Sequence, residues 1–429
     1  MKIGVISLGC AKNQVDTQTM MGYLKACGHT FTDAPEEADV LIVNTCGFIT
    51  PAKEESIDAI LEMAQYKQEG SCKLLVVTGC LSERYRAELP PELPEVDLFL
   101  GVREYEKLPR LIAEKLSLIC PSVKEPERLL VTPPYRAYLR IGDGCNNRCA
   151  YCAIPLIRGD LISVPLETLI DEAKALADMG VTELSVIAQD TSGYGKDLYG
   201  EPRLIPLLNA LDRIDGLRWV RLLYTYPDTV TEALLDTLAS GEKLVPYLDM
   251  PLQHCNDALL RRMHRRGTKA HITRLLDHIR AQYPDFTLRT TMMVGFPGET
   301  DAQFQELMQF LRDYPFDRVG AFAYSPEEGT AAADMPDQIE EPVKEERLNA
   351  LMEQQQAISL KRNERWIGRT LTMLVEETGM DGTYGRTVRE APDADGLVFV
   401  PPSFRHEPGQ YLPIRLTHAE PYDMTGECL

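Results

Sequence analysis

No stretch of this chain approaches the roughly 20 consecutive apolar residues that a membrane-spanning helix requires, so a transmembrane role has no segment to carry it. The run from Ile3 to Cys10 ends in a lipoprotein-like Leu-Gly-Cys. It is too short for a signal core and lacks a basic leader, and it reads instead as a first strand. Basic charge is scarce as well: 45 Lys and Arg face 65 Asp and Glu, for a net charge of −20. Proteins that grip nucleic acid by its phosphates usually present a basic face. This balance argues against that and favours a basic protein partner. The cysteines do not come in an even number. Eleven of them exclude a fully paired disulfide framework, and the setting expected is cytoplasmic. There is no low-complexity tail and no internal repeat beyond a strand–helix alternation. The length of 429 residues accommodates two or three domains.

A fourth ligand is missing where one would be expected. In Cys145-Asn-Asn-Arg-Cys149-Ala-Tyr-Cys152, three thiolates stand in a C-x3-C-x2-C pattern with no further Cys or His within ten residues. A structural zinc site is normally closed by four ligands, and an electron-transfer cluster normally uses four cysteines. Three thiolates can bind three irons of a [4Fe–4S] cluster and leave the fourth open to a small chelating molecule. A zinc knuckle completed by a distant ligand is the alternative. The spacing, with an aromatic residue directly before the last Cys, resembles the radical S-adenosylmethionine (SAM) family. There the open iron takes the amino and carboxylate groups of SAM.

A second triad is dispersed. Cys10, Cys46 and Cys80 each follow a short apolar run, Lys2–Gly9, Val40–Thr45 and Leu74–Gly79, at intervals of 36 and 34 residues. That interval suits a strand, a crossover helix and the next strand. Ligands gather at the carboxyl ends of parallel strands, where the three thiols could converge. Any one of them alone reads as a buried structural Cys. Three in register point to a second cluster, again with a free iron. Cys27, Cys72, Cys120, Cys255 and Cys428 read as ordinary thiols.

The expected fold class is α/β in three parts. Residues 1–119 form an N-terminal open parallel α/β domain with helices near Asp16–Cys27 and Pro51–Glu69. The join is rich in Pro and charge, from Cys120 to Arg128 and at Pro133-Pro134. Residues 131–365 form a partial (β/α)6 barrel with strands at Tyr138–Gly142, Glu183–Ala188, Trp219–Tyr224, Tyr247–Pro251, Leu288–Val294 and Arg318–Tyr324. Leu166, Leu169, Ile170, Ala173, Leu176 and Ala177 share one helical face, and Gly180 sits where that helix must end. A long charged helix, Glu340–Asn363, closes the region. Residues 366–429 read as a small antiparallel, OB-like β-barrel with strands at Thr370–Glu376, Gly385–Val388, Gly396–Pro401 and Leu412–Thr417. From Glu364 onward there are eleven acidic and six basic side chains.

Longer strings are more specific. Ser7-Leu-Gly-Cys-Ala-Lys-Asn13, Asn44-Thr-Cys-Gly-Phe-Ile49, Leu93-Pro-Glu-Val-Asp97, Ala188-Gln-Asp-Thr191, Tyr194-Gly-Lys-Asp-Leu-Tyr-Gly200, Pro251-Leu-Gln-His254, Gly295-Phe-Pro-Gly-Glu-Thr300 and Tyr324-Ser-Pro-Glu-Glu-Gly-Thr330 together resemble the methylthiotransferase family. Within it they are most similar to the branch that modifies an aspartate of small-subunit ribosomal protein twelve. The C-terminal barrel resembles the TRAM module. That branch usually has Pro at the position of Ala11 and Leu at Gln14, and a Ser-Arg pair where Ser163 is here followed by Val164.

The resemblance implies a transferase that inserts –SCH3 at the unactivated β-carbon of the aspartate. It implies two [4Fe–4S] clusters, on Cys10, Cys46 and Cys80 and on Cys145, Cys149 and Cys152. It further implies two SAM molecules, one a methyl donor and one the source of a 5′-deoxyadenosyl radical. Tyr151, Gln189, Asp190, Gly295, Gly298 and Glu299 are implied SAM-pocket residues. His254 reads as a hydrogen-bonded structural residue and Arg148 as a solvated loop charge. The implied partners are the basic ribosomal protein, met by the acidic barrel, and a flavodoxin- or ferredoxin-type reductant. Transfer RNA is the substrate of a sister branch and is disfavoured by the acidic barrel, which lacks a basic, aromatic-studded face. A non-catalytic iron–sulfur carrier, which needs every iron ligated by protein, is opposed by both three-cysteine sets, and a methylase without sulfur insertion leaves the first triad unexplained.

Overall fold

A computed structural model describes residues 1–118, 126–402 and 406–429. The expected join from Cys120 to Glu125 lies outside the described residues, whereas Pro133-Pro134 is seen and leads into the first barrel strand.

In the N-terminal sheet the strands run in the order Thr30–Phe31, Lys2–Ser7, Val40–Thr45, Leu74–Gly79 and Leu98–Phe99, all parallel. The two flanking strands are two residues long, too short for any apolar period to announce them. Alternation along the central strands sorts side chains to two faces. Ile3, Val40, Ile42, Leu74 and Val76 pack with Met20, Leu24, Leu108 and Ile112 of the helices Ala11–Ala26 and Leu108–Leu116. Leu41, Val43, Leu75 and Val77 meet Ile60 and Met63 of the helix Thr50–Glu69. Ser7 pairs with Asn44 and Asn44 with Thr78, so the three strands end level with one another. That register sets Cys10, Cys46 and Cys80 side by side.

All six expected strands of the central region form, in two parallel three-stranded sheets. Arg136–Arg140, Glu183–Ile187 and Trp219–Leu222 make one, and Tyr247–Asp249, Thr287–Val294 and Arg318–Ala323 the other. A parallel bridge joins Val220 of the first sheet to Leu244, three residues before the second sheet begins at Tyr247. Spatial order follows chain order, giving an incomplete barrel. On the helix Leu166–Asp178, the buried residues are Leu169, Ala173 and Leu176, and Gly180, at φ +100°, ends it in the left-handed region. The long helix Glu341–Glu364 buries Leu351, Gln355 and Ser359.

The C-terminal barrel is closed, in the order Thr370–Thr378, Thr383–Arg386, Val398–Val400, Met424–Cys428 and Tyr411–Ala419. The sequence pattern predicts four strands, all antiparallel. The fifth, Met424–Cys428, pairs parallel with Val398–Val400. A closed ring with an odd number of strands cannot alternate direction throughout, so one parallel pair is obligatory. Met373, Val375, Val398, Val400, Ile414, Leu416 and Met424 fill it.

Charge joins this barrel to the central domain. Glu183, fully buried, accepts from Arg386 at 2.5 and 3.1 Å and from Arg221 at 3.3 Å. Arg318 donates to Glu390 at 2.9 Å, also in the interior. Burial opposes ionisation of Glu183, but the Arg386 and Arg221 guanidiniums outweigh it and hold the carboxyl below the usual glutamate range. Glu183→Ala would leave two buried guanidiniums without their shared carboxylate, a change that costs about 3–5 kcal/mol at such sites. The expected result is loss of hydrogen-exchange protection in the barrel strands, with the N-terminal sheet unaffected. Unchanged protection would mean that the apolar contacts at this boundary hold it alone.

Candidate active site

The strand ends of the N-terminal sheet face the mouth of the central barrel across a cavity of about 940 Å³. All six triad cysteines line it: Cys10, Cys46 and Cys80 from one side, Cys145, Cys149 and Cys152 from the other. Among the described residues, no group of three or more His, Cys, Asp or Glu side chains is arranged to hold a single metal ion. The thiols stand around the space instead.

Local sequence explains the convergence of the first three. Gly9 adopts φ +90°, and a Cβ there would lie 3.1 Å from the Cys46 sulfur. A Cβ on Gly47 would approach the Leu81 backbone to 2.7 Å, so only glycine lets the segments after Val40–Thr45 and Leu74–Gly79 close together. Asn13, fully buried, donates through Nδ2 to the carbonyls of Leu8 (3.0 Å) and Thr45 (2.9 Å), tying two strand ends. Its Oδ1 faces the Cys80 sulfur at 3.3 Å.

Burial raises the Cys46 thiol above its usual range, and pushes Cys80 and Cys152 up to about 12 and Cys145 up to about 11. At neutral pH these groups in the metal-free chain are thiols, not thiolates.

Of the other residues singled out by sequence, Tyr151, Gln189 and Asp190 line the cavity. The Tyr151 hydroxyl accepts from Arg265 at 3.2 Å. Gln189 donates through Nε2 to Asp143 at 3.2 Å. Asp190 accepts from Asn147 at 2.7 Å and from the Ser192 backbone at 3.0 Å. Two amide oxygens on the cavity wall, Gln189 Oε1 and Gln253 Oε1, are buried with no partner among the described residues. Gln253 and Tyr224 both sit at positive φ, +71° and +61°. Such backbone is costly for non-glycine residues and concentrates at ligand sites.

Gly295, Gly298 and Glu299 are not on the cavity wall. A Cβ on Gly295 would meet Lys344 at 2.3 Å, and one on Gly298 would meet Arg262 at 2.0 Å, so these glycines admit side chains of neighbouring helices. The Glu299 carboxylate is buried and fully engaged, by the Gly295 N–H (2.6 Å), Arg347 (2.7 Å) and His254 (3.2 Å). His254 accepts from the Asn256 backbone N–H, which makes Nε2 the protonated nitrogen that faces Glu299. His254 is therefore structural. Arg148 is exposed and pairs with Asp160.

Sequence reasoning missed the charged groups between the domains. Arg158 reaches from the central domain to Asp16 (2.7 Å) and Asn13 (2.8 Å) and binds Asp143 of its own domain (3.0 Å), and Arg140 also pairs with Asp16. Glu327, 2 % exposed at the cavity rim, takes Lys53 (2.8 Å) and Arg84 (2.9 Å) from the N-terminal domain. The one local signal was position. Asn13, Arg158 and Glu327 stand in or beside the strings that carry the cysteines and the turn after Tyr324.

A parallel partial barrel with three thiols in the loop after its first strand defines a radical SAM enzyme. Family models agree along the chain: the uncharacterized protein family UPF0004 over residues 2–101, the radical SAM superfamily over 139–311 and the TRAM domain over 367–429. In solved structures the fold is similar to TsrM of Kitasatospora setae, a radical S-adenosylmethionine methyltransferase. That match has a TM-score of 0.56 and 14 % identity, covering 76 % of each chain. Curated relatives named "Ribosomal protein uS12 methylthiotransferase RimO" match end to end. The protein of Heliobacterium modesticaldum is 47 % identical over 100 % of this chain and 95 % of its own length. Those of Acetivibrio thermocellus and Clostridioides difficile are each 45 % identical over 100 % of this chain, and over 98 % and 99 % of their own. The chain belongs to the RimO family of radical SAM methylthiotransferases.

Proposed function

We propose that this enzyme inserts a methylthio group at the β-carbon of an aspartate in small-subunit ribosomal protein twelve, the uS12 of its relatives' names. It would use two SAM molecules and two [4Fe–4S] clusters. The observation that carries the reading is the meeting of two separate three-thiol sets, from two domains, on one cavity. Cys145, Cys149 and Cys152 would hold the cluster that binds SAM, and Cys10, Cys46 and Cys80 the second. Thiols spread around the space suit multinuclear groups that reach outward to each sulfur. When bound, these cofactors supply methyl transfer to sulfur and reductive cleavage of SAM, chemistry beyond any side chain present.

The protein's own residues position and enclose. The Tyr151 ring, fixed through its hydroxyl by Arg265, would pack against SAM. The unpartnered oxygens of Gln189 and Gln253 offer acceptors to its amino groups, and Asp190 holds the loop bearing Asn147. Gly295, Gly298 and Glu299 would act from behind the wall, Glu299 by fixing the turn after Thr287–Val294. Phe48, Ile49 and Phe322 line the cavity and would limit water once substrate is seated. An electron from a flavodoxin- or ferredoxin-type protein completes the requirements.

Charge supports a basic protein substrate. In the C-terminal barrel Arg386 and Arg389 are buried, Arg369 pairs with Asp285, and Arg415 lies 3.8 Å from Glu427. Glu377, Asp381 and Asp423 are exposed and contribute acidic charge to the surface. Among the described residues no helix is long and apolar enough to cross a membrane. A cytoplasmic location is in keeping with a ribosomal substrate.

Single substitutions separate the two triads. Cys46→Ala is expected to keep reductive cleavage of SAM to 5′-deoxyadenosine while giving no methylthiolated peptide. Cys152→Ala should lose both, as read by chromatography and mass spectrometry of one anaerobic assay. Full product from Cys46→Ala would refute the role of the second triad. Cluster loading should also depend on pH. Metal ligation takes thiolates and releases protons, and burial has raised these thiols towards 11–12. Iron bound per chain during anaerobic reconstitution should therefore increase from pH 7 to pH 9. A flat profile would contradict the protonated starting state.

A further inference from the structure

Each triad has one buried arginine aimed at one of its sulfurs. Arg158 Nη2 lies 3.6 Å from Cys80 Sγ, and Arg265 Nη1 lies 4.0 Å from Cys149 Sγ. Neither side chain can swing away. Arg158 is held at the same time by Asn13, Asp16 and Asp143. Arg265 donates to the Pro251 carbonyl at 2.5 Å and to Tyr151 at 3.2 Å, with its guanidinium 4.3 Å above the Tyr226 ring. Their electrostatic settings differ. Two carboxylates offset the charge of Arg158, whereas among the described residues no carboxylate pairs with Arg265.

Adding an electron to an iron–sulfur cluster makes it more negative, so a fixed cation at a ligand sulfur favours the reduced state. Hydrogen bonds to the sulfurs and nearby charge are the protein's means of setting such potentials. In a buried site these effects are only weakly screened.

We infer that Arg158 and Arg265 are positioning residues that set the reduction potentials of the two clusters separately. Arg158 would act on the cluster at Cys10, Cys46 and Cys80, and Arg265 on the one at Cys145, Cys149 and Cys152. The inference rests on the two-cluster reading above. Arg158 also comes from the central domain while its sulfur belongs to the N-terminal one, so the potential of the second cluster depends on the two domains being docked.

Potentiometric titration of the full-length, cluster-loaded protein, followed by electron paramagnetic resonance, tests it. Iron and sulfide content with Mössbauer spectra of the parent protein comes first, and a single cluster there refutes the two-cluster reading before any variant is compared. With two clusters present, Arg158→Gln should lower only the potential of the second cluster, and Arg265→Gln only that of the SAM-binding one. Arg158→Lys and Arg265→Lys, which keep the charge, should stay nearer the parent. Asp16→Asn should raise the second cluster's potential by removing a charge that offsets Arg158. If Arg158→Gln does not retain its cluster, the sign of the Asp16→Asn shift decides. Overturning results are no shift, both clusters moving together in one variant, lysine variants shifting as far as glutamine ones, or an Asp16→Asn shift that is absent or downward.

Discussion

Six thiols from two domains line one cavity, and two buried ionic contacts cross the boundary that brings them together. Asp16 is fully buried between Arg140 and Arg158, and Glu327 between Lys53 and Arg84. Apolar contacts cross the same boundary as well: Cys80 and Val102 cluster with Ala153 and Ile157, and Ala11 and Val15 with a group that includes Tyr138 and Leu223. Burying charges in pairs adds little net stability, but removing one partner is expensive, so such contacts tolerate a single arrangement. For a chain that brings two sets of three thiols to one cavity, a boundary that cannot slide is worth more than one that merely adheres. The same network includes Arg158, which touches a triad sulfur, and Asp143, two residues before Cys145.

The C-terminal barrel is docked on the same principle. Glu183 lies on the second strand of the central barrel, at the end opposite the cavity, and binds Arg386 and Arg221 there. Asp393 reaches Arg136 at 2.9 Å and Tyr138 at 2.7 Å. Arg386 and Arg389 are buried in this interface alongside Glu390 and the Asp395 side chain, so acids and bases are withdrawn from the surface together.

Much of the architecture was legible because each element carried a local pattern. The strands ending before Cys46 and Cys80 are unbroken apolar runs closed by small residues, and the helix after Pro165 shows a clean apolar face ending at Gly180. Thr30–Phe31, Leu98–Phe99 and Met424–Cys428 were missed because two residues hold no period and the last strand is interrupted by Gly426. The meeting of the six cysteines on one cavity was legible from spacing and strand position. Arg158 was not, since its partners Asn13 and Asp16 lie more than a hundred residues away. The glycine-rich turn from Gly295 to Glu299 looked like a ligand cradle. Its close neighbours are Lys344, Arg262 and Arg347, from helices whose approach no local pattern encodes.

The most direct measurement compares a strain lacking this gene with its parent, by intact-mass spectra of small-subunit ribosomal protein twelve and nucleoside analysis of transfer RNA. The expected result is loss of a methylthio increment from the ribosomal protein, with the transfer RNA nucleosides unchanged. Loss of methylthio-adenosine with the ribosomal protein unaltered would contradict the assigned substrate and the reasoning from the acidic barrel.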